Sequence, residues 1–358
     1  MTLKNLFNGL IHDVLYTDSS FISSVKGTNY IHGHCPYHKS KKGIFLFIIG
    51  LVPEWRGYYS RVWMFFFLRK KYDLIYAFFY SIDLAKFASW IASQKKAKLI
   101  LHIADHSPSF INNFEFIKIL DQSEKLCCIG QNMKQYYQTI FKKTFDVFHN
   151  LADDAYLPLT NKINFTFSES NPLKILFMGS LFETLHKGAI NNICRAINEL
   201  NDEGYSISFN LYGQIVPNTF LKEELTTPHV NHHGTIPPEG RFSIMSKNHC
   251  FIIPSSFTNT IKDEYRYSIP TKLPELLLSG RPVIIHGPKE MEAYRYCSEN
   301  NCGILIGDHS IKQLKLKIID LFLNFSRHKD DAIKSSNNLL NKLSISSQSS
   351  RFHSFVLN

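Results

Sequence analysis

Residues 173–188 read LKILFMGSLFETLHKG, and they contain a clear junction between a strand and a helix. Leu173–Met178 is short and mostly apolar, which is typical of a buried strand in a parallel sheet. Gly179 follows directly, so backbone can approach a ligand closely there. Lys187 then stands just before a predicted helix, Ala189–Leu200, where its point charge suits a diphosphate. An ordinary strand-to-helix turn with a solvated lysine would have the same sequence.

Residues 268–285 read SIPTKLPELLLSGRPVII and form the second informative segment. Ser268 or Thr271 could start a helix, and Gly280 could end it before the next buried strand. Free N–H groups at a helix start attract anions, and Glu275, one turn in, could accept hydrogen bonds from a ribose diol. A surface acid that complements the helix dipole is the alternative for Glu275.

Strands and helices alternate on both sides of these segments. Predicted strands before them cover residues 71–79, 98–103, 126–129 and 145–148, and Ser81 caps a helix that ends near Ser93. The polar stretch Asp153–Pro172 is interpreted as a crossing between domains. We therefore expect α/β architecture with an N-terminal domain (1–160), a C-terminal domain (161–335), and an end helix with a frayed serine-rich tail (336–358). Ligands of such doubly wound sheets bind outside the carboxyl ends of the strands.

The formal net charge of +10 indicates an anionic partner, and the charge is uneven. Residues 1–71 hold ten cations and three acidic residues, a net +7. The apolar runs Ile44–Val52 and Val62–Leu68 are too short for a membrane span, which needs about 20 residues. Because the second run precedes three cations, it suits a helix lying on an anionic membrane. A core helix with a solvated end is the alternative.

Cysteine and histidine usage bounds the compartment and the metal chemistry. The seven cysteines are scattered without a CxxC pair, and residues 1–10 lack a signal-peptide core, so we expect a cytoplasmic protein, with a place at the inner face of the membrane open. Residues 32–38 are dense in metal ligands, namely His32, His34, Cys35 and His38. Their spacing matches no zinc pattern, so no metal site is predicted.

Taken together, the order and spacing of these segments resemble the C-terminal domain of GT-B glycosyltransferases, in particular glycosyltransferase family 4. The positions that match its pattern are Gly179, Lys187-Gly188, Gly213, Pro254-Ser255, Glu275 and residues 280–284 and 302–306. The resemblance covers roughly residues 72–343. It implies the GT-B fold, with two facing Rossmann-like domains and an interdomain cleft. It also implies transfer of a sugar from a nucleotide-sugar with retention of the anomeric configuration.

The resemblance further implies where substrates bind. Lys187 and the N–H groups near Pro270 would hold the donor diphosphate, and Glu275 would hold the ribose. The expected donor-site residues are Gly179, Ser180, Lys187, Gly213, Thr271, Lys272, Leu273 and Glu275. In the N-terminal half, the candidates for catalytic contact with substrate are His102, Asp105 and His106, with a satisfied core histidine as the alternative for His102. Neither a cofactor nor a metal is needed if fixed cations and N–H dipoles stabilise the leaving phosphate.

The chain departs from the family pattern in three places. The phosphate-binding arginine after the strand glycine is replaced by Ser180, and the first of two glutamates by Tyr267. Lys272 could supply the missing positive charge. At the start of the chain, Leu3–Tyr16 is predicted as an amphipathic helix in place of a strand and a glycine-rich loop. Either that strand is missing, the start is truncated, or Tyr30–His34 takes its place.

The sequence thus predicts a glycosyltransferase with a glycan or lipid-linked acceptor, in surface polysaccharide or lipopolysaccharide synthesis by family analogy. A nucleotide-sugar epimerase of the same fold, a degenerate non-catalytic relative and a nucleic-acid binder remain alternatives. The last is suggested by charge alone, since no nucleic-acid-binding motif occurs and we expect no such partner.

Overall fold

The computed structural model describes residues 13–16, 29–32, 72–152, 166–216, 227–237, 240–257 and 266–358. These residues divide into two compact units. One unit ends at Phe148 and also holds residues 356–358, and the other runs from His149 to Phe355.

The described part of the first 71 residues consists of two short strands. Asp13–Tyr16 (β1) pairs in parallel with Asn29–His32 (β2). The helix predicted over Leu3–Tyr16 is therefore wrong at its end, where pairing with a second strand overrides the helical period. The other residues of that segment, the two apolar runs and the ligand-rich residues 33–38 lie outside the described residues.

The N-terminal unit contains a four-stranded parallel sheet in the order β3-β4-β5-β6. Its elements are Leu74–Phe79 (β3), Ile82–Lys95 (α1), Lys98–Ile103 (β4), Phe114–Gln122 (α2), Lys125–Cys128 (β5), Gln131–Phe141 (α3) and Asp146–Val147 (β6). The predicted cap is confirmed, because Ser81 Oγ accepts a hydrogen bond from the N–H of Leu84 at 3.4 Å. Within the described residues, the strands of this sheet lie side by side in chain order.

The C-terminal unit contains a six-stranded parallel sheet in the order β11-β9-β7-β12-β13-β14. Its strands are Leu173–Met178 (β7), Leu181–Phe182 (β8), Ile207–Tyr212 (β9), Ile215–Val216 (β10), Val230–His232 (β11), Cys250–Pro254 (β12), Val283–His286 (β13) and Ile304–Ile306 (β14). The short strands β8 and β10 pair with each other. Because β9 lies on one side of β7 and β12 on the other, the strand order reverses at β7.

In the described part of this unit, seven helices accompany the sheet. They are Glu183–Asp202 (α4), Arg241–Ser246 (α5), Leu273–Leu278 (α6), Glu292–Glu299 (α7), Ile311–Leu323 (α8), Phe325–Leu343 (α9) and Ile345–Leu357 (α10). The predicted apolar face of α4 is confirmed, since Ile190, Ile193 and Ile197 are fully buried against the strands.

Two helix predictions in this unit need correction. The helix α4 begins at Glu183, six residues before the predicted Ala189, so Lys187 lies inside the helix. The serine-rich tail is helical instead of frayed, because Ser344 Oγ accepts from the N–H of Ser347 and Phe352 is fully buried.

None of the described helices combines the length and the apolar character that a membrane crossing requires. Within the described residues, no group of three or more histidine, cysteine, aspartate or glutamate side chains could hold a metal ion.

Candidate functional site

The reversal of strand order at β7 marks a candidate site in the C-terminal unit. In open parallel sheets, neighbouring strands whose connections leave in opposite directions form a crevice at their carboxyl ends, and ligands bind there. Gly179 follows β7 at this point, and Ser255 follows β12. The N–H of Ser255 donates to the carbonyl oxygen of His286 at 2.8 Å, which fixes the loop after β12 to the end of β13.

Two predicted glycines meet at this edge. The N–H of Gly179 donates to the carbonyl oxygen of Tyr212 at 2.8 Å, and the N–H of Gly213 donates to Gly234 at 2.7 Å. Gly213 has a φ of +143°, and a Cβ placed on it would lie 1.8 Å from the carbonyl oxygen of Gly179. Only glycine fits here, because both the backbone angle and the contact exclude a side chain. The structure thus joins the loops after β7 and β9 through backbone contact.

Lys272 brings a positive charge to the same place. Its Nζ donates to the carbonyl oxygen of Met178 at 3.1 Å, and lies 3.5 Å from where a Cβ on Gly179 would be. Partial burial lowers the pKa of Lys272, the positive charge of Arg241 lowers it further, and the charge of Glu275 raises it. The side chain that the sequence offered only as a substitute cation therefore lies directly over the strand end.

The segment around Lys272 shows how the predicted loop is built. The helix α6 begins at Leu273, and the N–H of Leu273 is already engaged with the carbonyl oxygen of Pro270 at 3.0 Å. Thr271 is exposed. Glu275 is only 6% exposed, so the alternative of a solvated surface acid is wrong. A buried carboxylate beside a half-buried lysine is typical of a polar site.

Lys187 and Ser180 have more open surroundings. Lys187 lies inside α4, its Nζ is 2.6 Å from Glu183 Oε1, and about half of its side chain is exposed. Such an exposed pair one helical turn apart adds little stability, so Lys187 can exchange Glu183 for an anionic ligand. Ser180 is exposed and carries no charge.

The three candidates in the N-terminal unit differ sharply in burial. His102 lies within β4 and is fully buried, with its Nδ1 2.6 Å from the hydroxyl of Tyr76. His106 is 7% exposed, and its Nδ1 is 2.9 Å from the hydroxyl of Tyr137. Asp105 is exposed beyond the strand end. The environment of His102 is that of a core histidine, whereas Asp105 is exposed to solvent.

Sequence reasoning missed Arg241, the first residue of α5. This residue is half-buried, and its positive charge acts on Lys272, 31 positions later in the chain. Nothing in the sequence around Arg241 resembles a phosphate-binding motif.

No protein-family model matches the sequence, and no curated protein matches it. Solved structures do match. HepE from Anabaena, in complex with UDP and glucose, is 13% identical with a TM-score of 0.65, over 99% of this chain and 94% of that one. Sucrose-phosphate synthase from Thermosynechococcus elongatus is 10% identical with a TM-score of 0.67, over 98% and 90%. WaaG, a glycosyltransferase involved in lipopolysaccharide biosynthesis, is 11% identical with a TM-score of 0.59, over 100% and 94%.

These likenesses extend over nearly the whole chain, although the sequences have diverged almost completely. They confirm the fold class that the sequence predicts, with parallel sheets in an α/β protein. The chain therefore has the fold of the GT-B glycosyltransferases.

Proposed function

We propose that this protein is a glycosyltransferase that transfers a sugar from a nucleotide-sugar to a glycan or lipid-linked acceptor. The single observation that carries the proposal is the position of Lys272, whose ammonium group lies over the end of β7 beside Gly179. This is the point of the sheet where ligands of such folds bind. The matched glycosyltransferase structures that contain UDP support a uridine nucleotide as the first donor class to test.

The chemistry of the transfer suits these residues. When the glycosidic bond of the donor breaks, negative charge develops on the phosphate oxygens of the departing nucleoside diphosphate. A cation held over the strand end stabilises that charge in the transition state more than in the ground state. Lys272 supplies the fixed charge, and Lys187 supplies a second, more mobile one. In this scheme the buried Glu275 accepts hydrogen bonds from the ribose.

The N-terminal unit supplies the acceptor side in this proposal. Asp105 and His106 follow β4 at its carboxyl end, and Asp105 is the exposed one of the two. A carboxylate there can orient an acceptor hydroxyl or accept its proton. In this scheme the sugar is transferred with retention of configuration, and neither a metal nor a cofactor takes part.

The donor test is a thermal-shift panel with UDP, GDP and ADP, followed by turnover of the matching nucleotide-sugars. We expect one nucleoside diphosphate to raise the melting temperature, and release of that diphosphate when acceptor is present. Nuclear magnetic resonance of the product then reports the anomeric configuration. An isomerised nucleotide-sugar without release of diphosphate would point to an epimerase instead. Absence of binding to all three nucleotides would contradict the proposal.

We also propose contact with an anionic membrane at the cytoplasmic face, where a lipid-linked acceptor would be reached. The support is the net +7 of residues 1–71 and their aromatic apolar runs. The full-length protein should sediment with vesicles that contain anionic lipid and not with zwitterionic ones, and added salt should release it. Equal binding to both kinds of vesicle would contradict an electrostatic contact.

A further inference from the structure

At the end of β7, the residue after Gly179 carries no positive charge for a donor diphosphate. The family that the sequence resembles carries an arginine directly after the strand glycine, and this chain has Ser180, which is exposed and uncharged. Lys272 approaches the same glycine from α6 instead, with its Nζ bound to the carbonyl oxygen of Met178. A single ammonium group is a point charge with three donors, whereas a diphosphate offers several oxygens. Lys272 alone therefore covers only part of such a ligand, and Lys187, which is half exposed and paired with Glu183, is held less firmly.

Arg241 lies in the right part of the fold to supply the second cation. In a parallel β–α–β unit the helix begins at the edge where the strands end, so the start of α5, between β11 and β12, lies at the carboxyl edge of the sheet. The end of β11 is joined to the loop after β9, because His232 Nε2 donates to the carbonyl oxygen of Gly213 at 2.8 Å. Arg241 is half-buried, and among the described residues its guanidinium has no ion-pair partner.

Two cations that act on each other in a half-buried place are unfavourable without an anion. Their repulsion is felt at Lys272, where the charge of Arg241 opposes protonation. Glu275 offsets only part of it, because one carboxylate faces two cations. Among the described residues, the two cations therefore outnumber the one carboxylate whose charge acts on Lys272. A diphosphate, with at least two negative charges, would turn this repulsion into attraction to both side chains.

We propose that Lys272 and Arg241 together bind the diphosphate of the donor, and that Arg241 takes over the role of the cation that is missing at Ser180. This inference rests on the proposed function. The pair selects nucleoside diphosphates over nucleosides, because both cations act on the phosphates and neither is needed for the base. The guanidinium offers a planar fork for two phosphate oxygens, so lysine at position 241 would replace it only in part.

The test measures the binding of UDP, uridine and inorganic pyrophosphate by the full-length protein, by calorimetry and thermal shift. Arg241→Ala should weaken UDP about 10- to 100-fold, as expected for a lost charge-assisted hydrogen bond, and leave uridine unchanged. The UDP affinity of Arg241→Lys should lie between those of the wild-type protein and Arg241→Ala. Lys247→Ala, which removes an exposed cation at the other end of α5, is the matched control and should change UDP binding less than twofold. Ser180→Arg in the Arg241→Ala background should restore much of the affinity.

The outcomes separate the inference from the proposed function. If wild-type protein binds UDP and Arg241→Ala binds it equally well, the cation pair is overturned while the glycosyltransferase proposal stands. An equal loss of UDP and uridine in Arg241→Ala would show a structural role and would also overturn it. If wild-type protein binds none of the nucleotides, the proposed function fails. The measurement with pyrophosphate then tests the cation pair by itself. If pyrophosphate stabilises the wild-type protein and not Arg241→Ala, the pair is supported. If pyrophosphate does not stabilise the wild-type protein, the pair is contradicted.

Discussion

Polar side chains near the carboxyl ends of the strands have different hydrogen-bond partners in the two parallel sheets. In the N-terminal unit, whose four strands follow chain order, the buried histidines His102 and His106 are bonded to the tyrosines Tyr76 and Tyr137. In the C-terminal unit, where the order reverses at β7, a lysine lies over the strand end with a backbone carbonyl as its partner. The lysine thus lies where the strand order reverses, which is the point at which ligands of open parallel sheets bind.

The largest effect is expected from Gly213→Ala, which alters the carboxyl edge of the sheet in the C-terminal unit. A Cβ at this position would lie 1.8 Å from the carbonyl oxygen of Gly179, and φ is +143°. Because the obstacle is backbone, the loops after β7 and β9 must separate, and we expect a loss of at least about 3 kcal/mol in the free energy of unfolding. Denaturant unfolding measures it.

The matched control for Gly213→Ala is Gly204→Ala. Gly204 also has a positive φ, +95°, but a Cβ there would meet no atom within 4 Å. We expect a loss of only about 1 kcal/mol from backbone strain. If both variants lose the same stability, the close approach of the two loops is not what holds this edge together.

The second prediction concerns acid stability, and it uses His286 at the end of β13. This side chain is fully buried, and burial lowers its pKa from 6.5 to about 4. A backbone hydrogen bond with Ile306 and the charge of Asp308 offset part of this lowering, and His309 adds to it. Since the unfolded chain binds a proton at higher pH than the folded one, stability is lost as the pH falls from about 6.5 towards 4. The loss from this one group is about 3 kcal/mol.

Denaturant unfolding at several pH values measures this loss, and His286→Gln should make the pH dependence shallower between 6.5 and 4. Some dependence will remain, because burial also lowers the pKa values of His186 and His249 to about 4. Hydrogen exchange should locate the weakening in the C-terminal unit, where all three histidines lie. An unchanged slope in His286→Gln would mean that the side chain is solvated in the folded protein.

The third prediction ranks the two lysines of the proposed donor site. Lys272→Met should raise the Michaelis constant for the nucleotide-sugar about 10- to 100-fold, because its ammonium group is held over the strand end. Lys187→Met should raise it less than about fivefold, since Lys187 is half exposed and paired with Glu183. Steady-state kinetics with the same donor compare them directly. A larger effect at Lys187 would return the diphosphate to the start of α4.

Much of the fold could be predicted from the sequence, because buried strands are short, apolar and bounded by turn residues. The predicted ends of β4, Lys98 and Ile103, and of β7, Leu173 and Met178, agree with the structure. The start of α4 could not be predicted, because His186, Lys187 and Gly188 conceal the helical period. The serine-rich α10 was missed for a similar reason, since its stability comes from tertiary packing of Phe352 rather than from helix propensity.

Only those residues of the candidate site that belong to a recognisable sequence segment could be predicted. Gly179 and Glu275 were identified from the segments around them and Gly213 from the resemblance to the GT-B glycosyltransferases, and the structure places the two glycines in contact. Arg241 could not be identified, because its relation to Lys272 depends on how the sheet is ordered and not on their distance in the chain. A sequence indicates which residues follow strands, whereas the strand order decides which of those residues meet.

The smallest effect is expected in the N-terminal unit, from Tyr76→Phe. This change removes the hydroxyl that lies 2.6 Å from His102 Nδ1 and keeps the ring. We expect a loss of about 1 kcal/mol in stability, as for a typical buried hydrogen bond, with nucleotide affinity and turnover unchanged at a temperature where the protein is folded. Tyr137→Phe, which acts on His106 in the same way, is the matched comparison nearer the strand end. If Tyr76→Phe lowers turnover without lowering stability, His102 belongs to the catalytic machinery. The polar residues of the N-terminal sheet would then serve catalysis, as those of the C-terminal sheet are proposed to do.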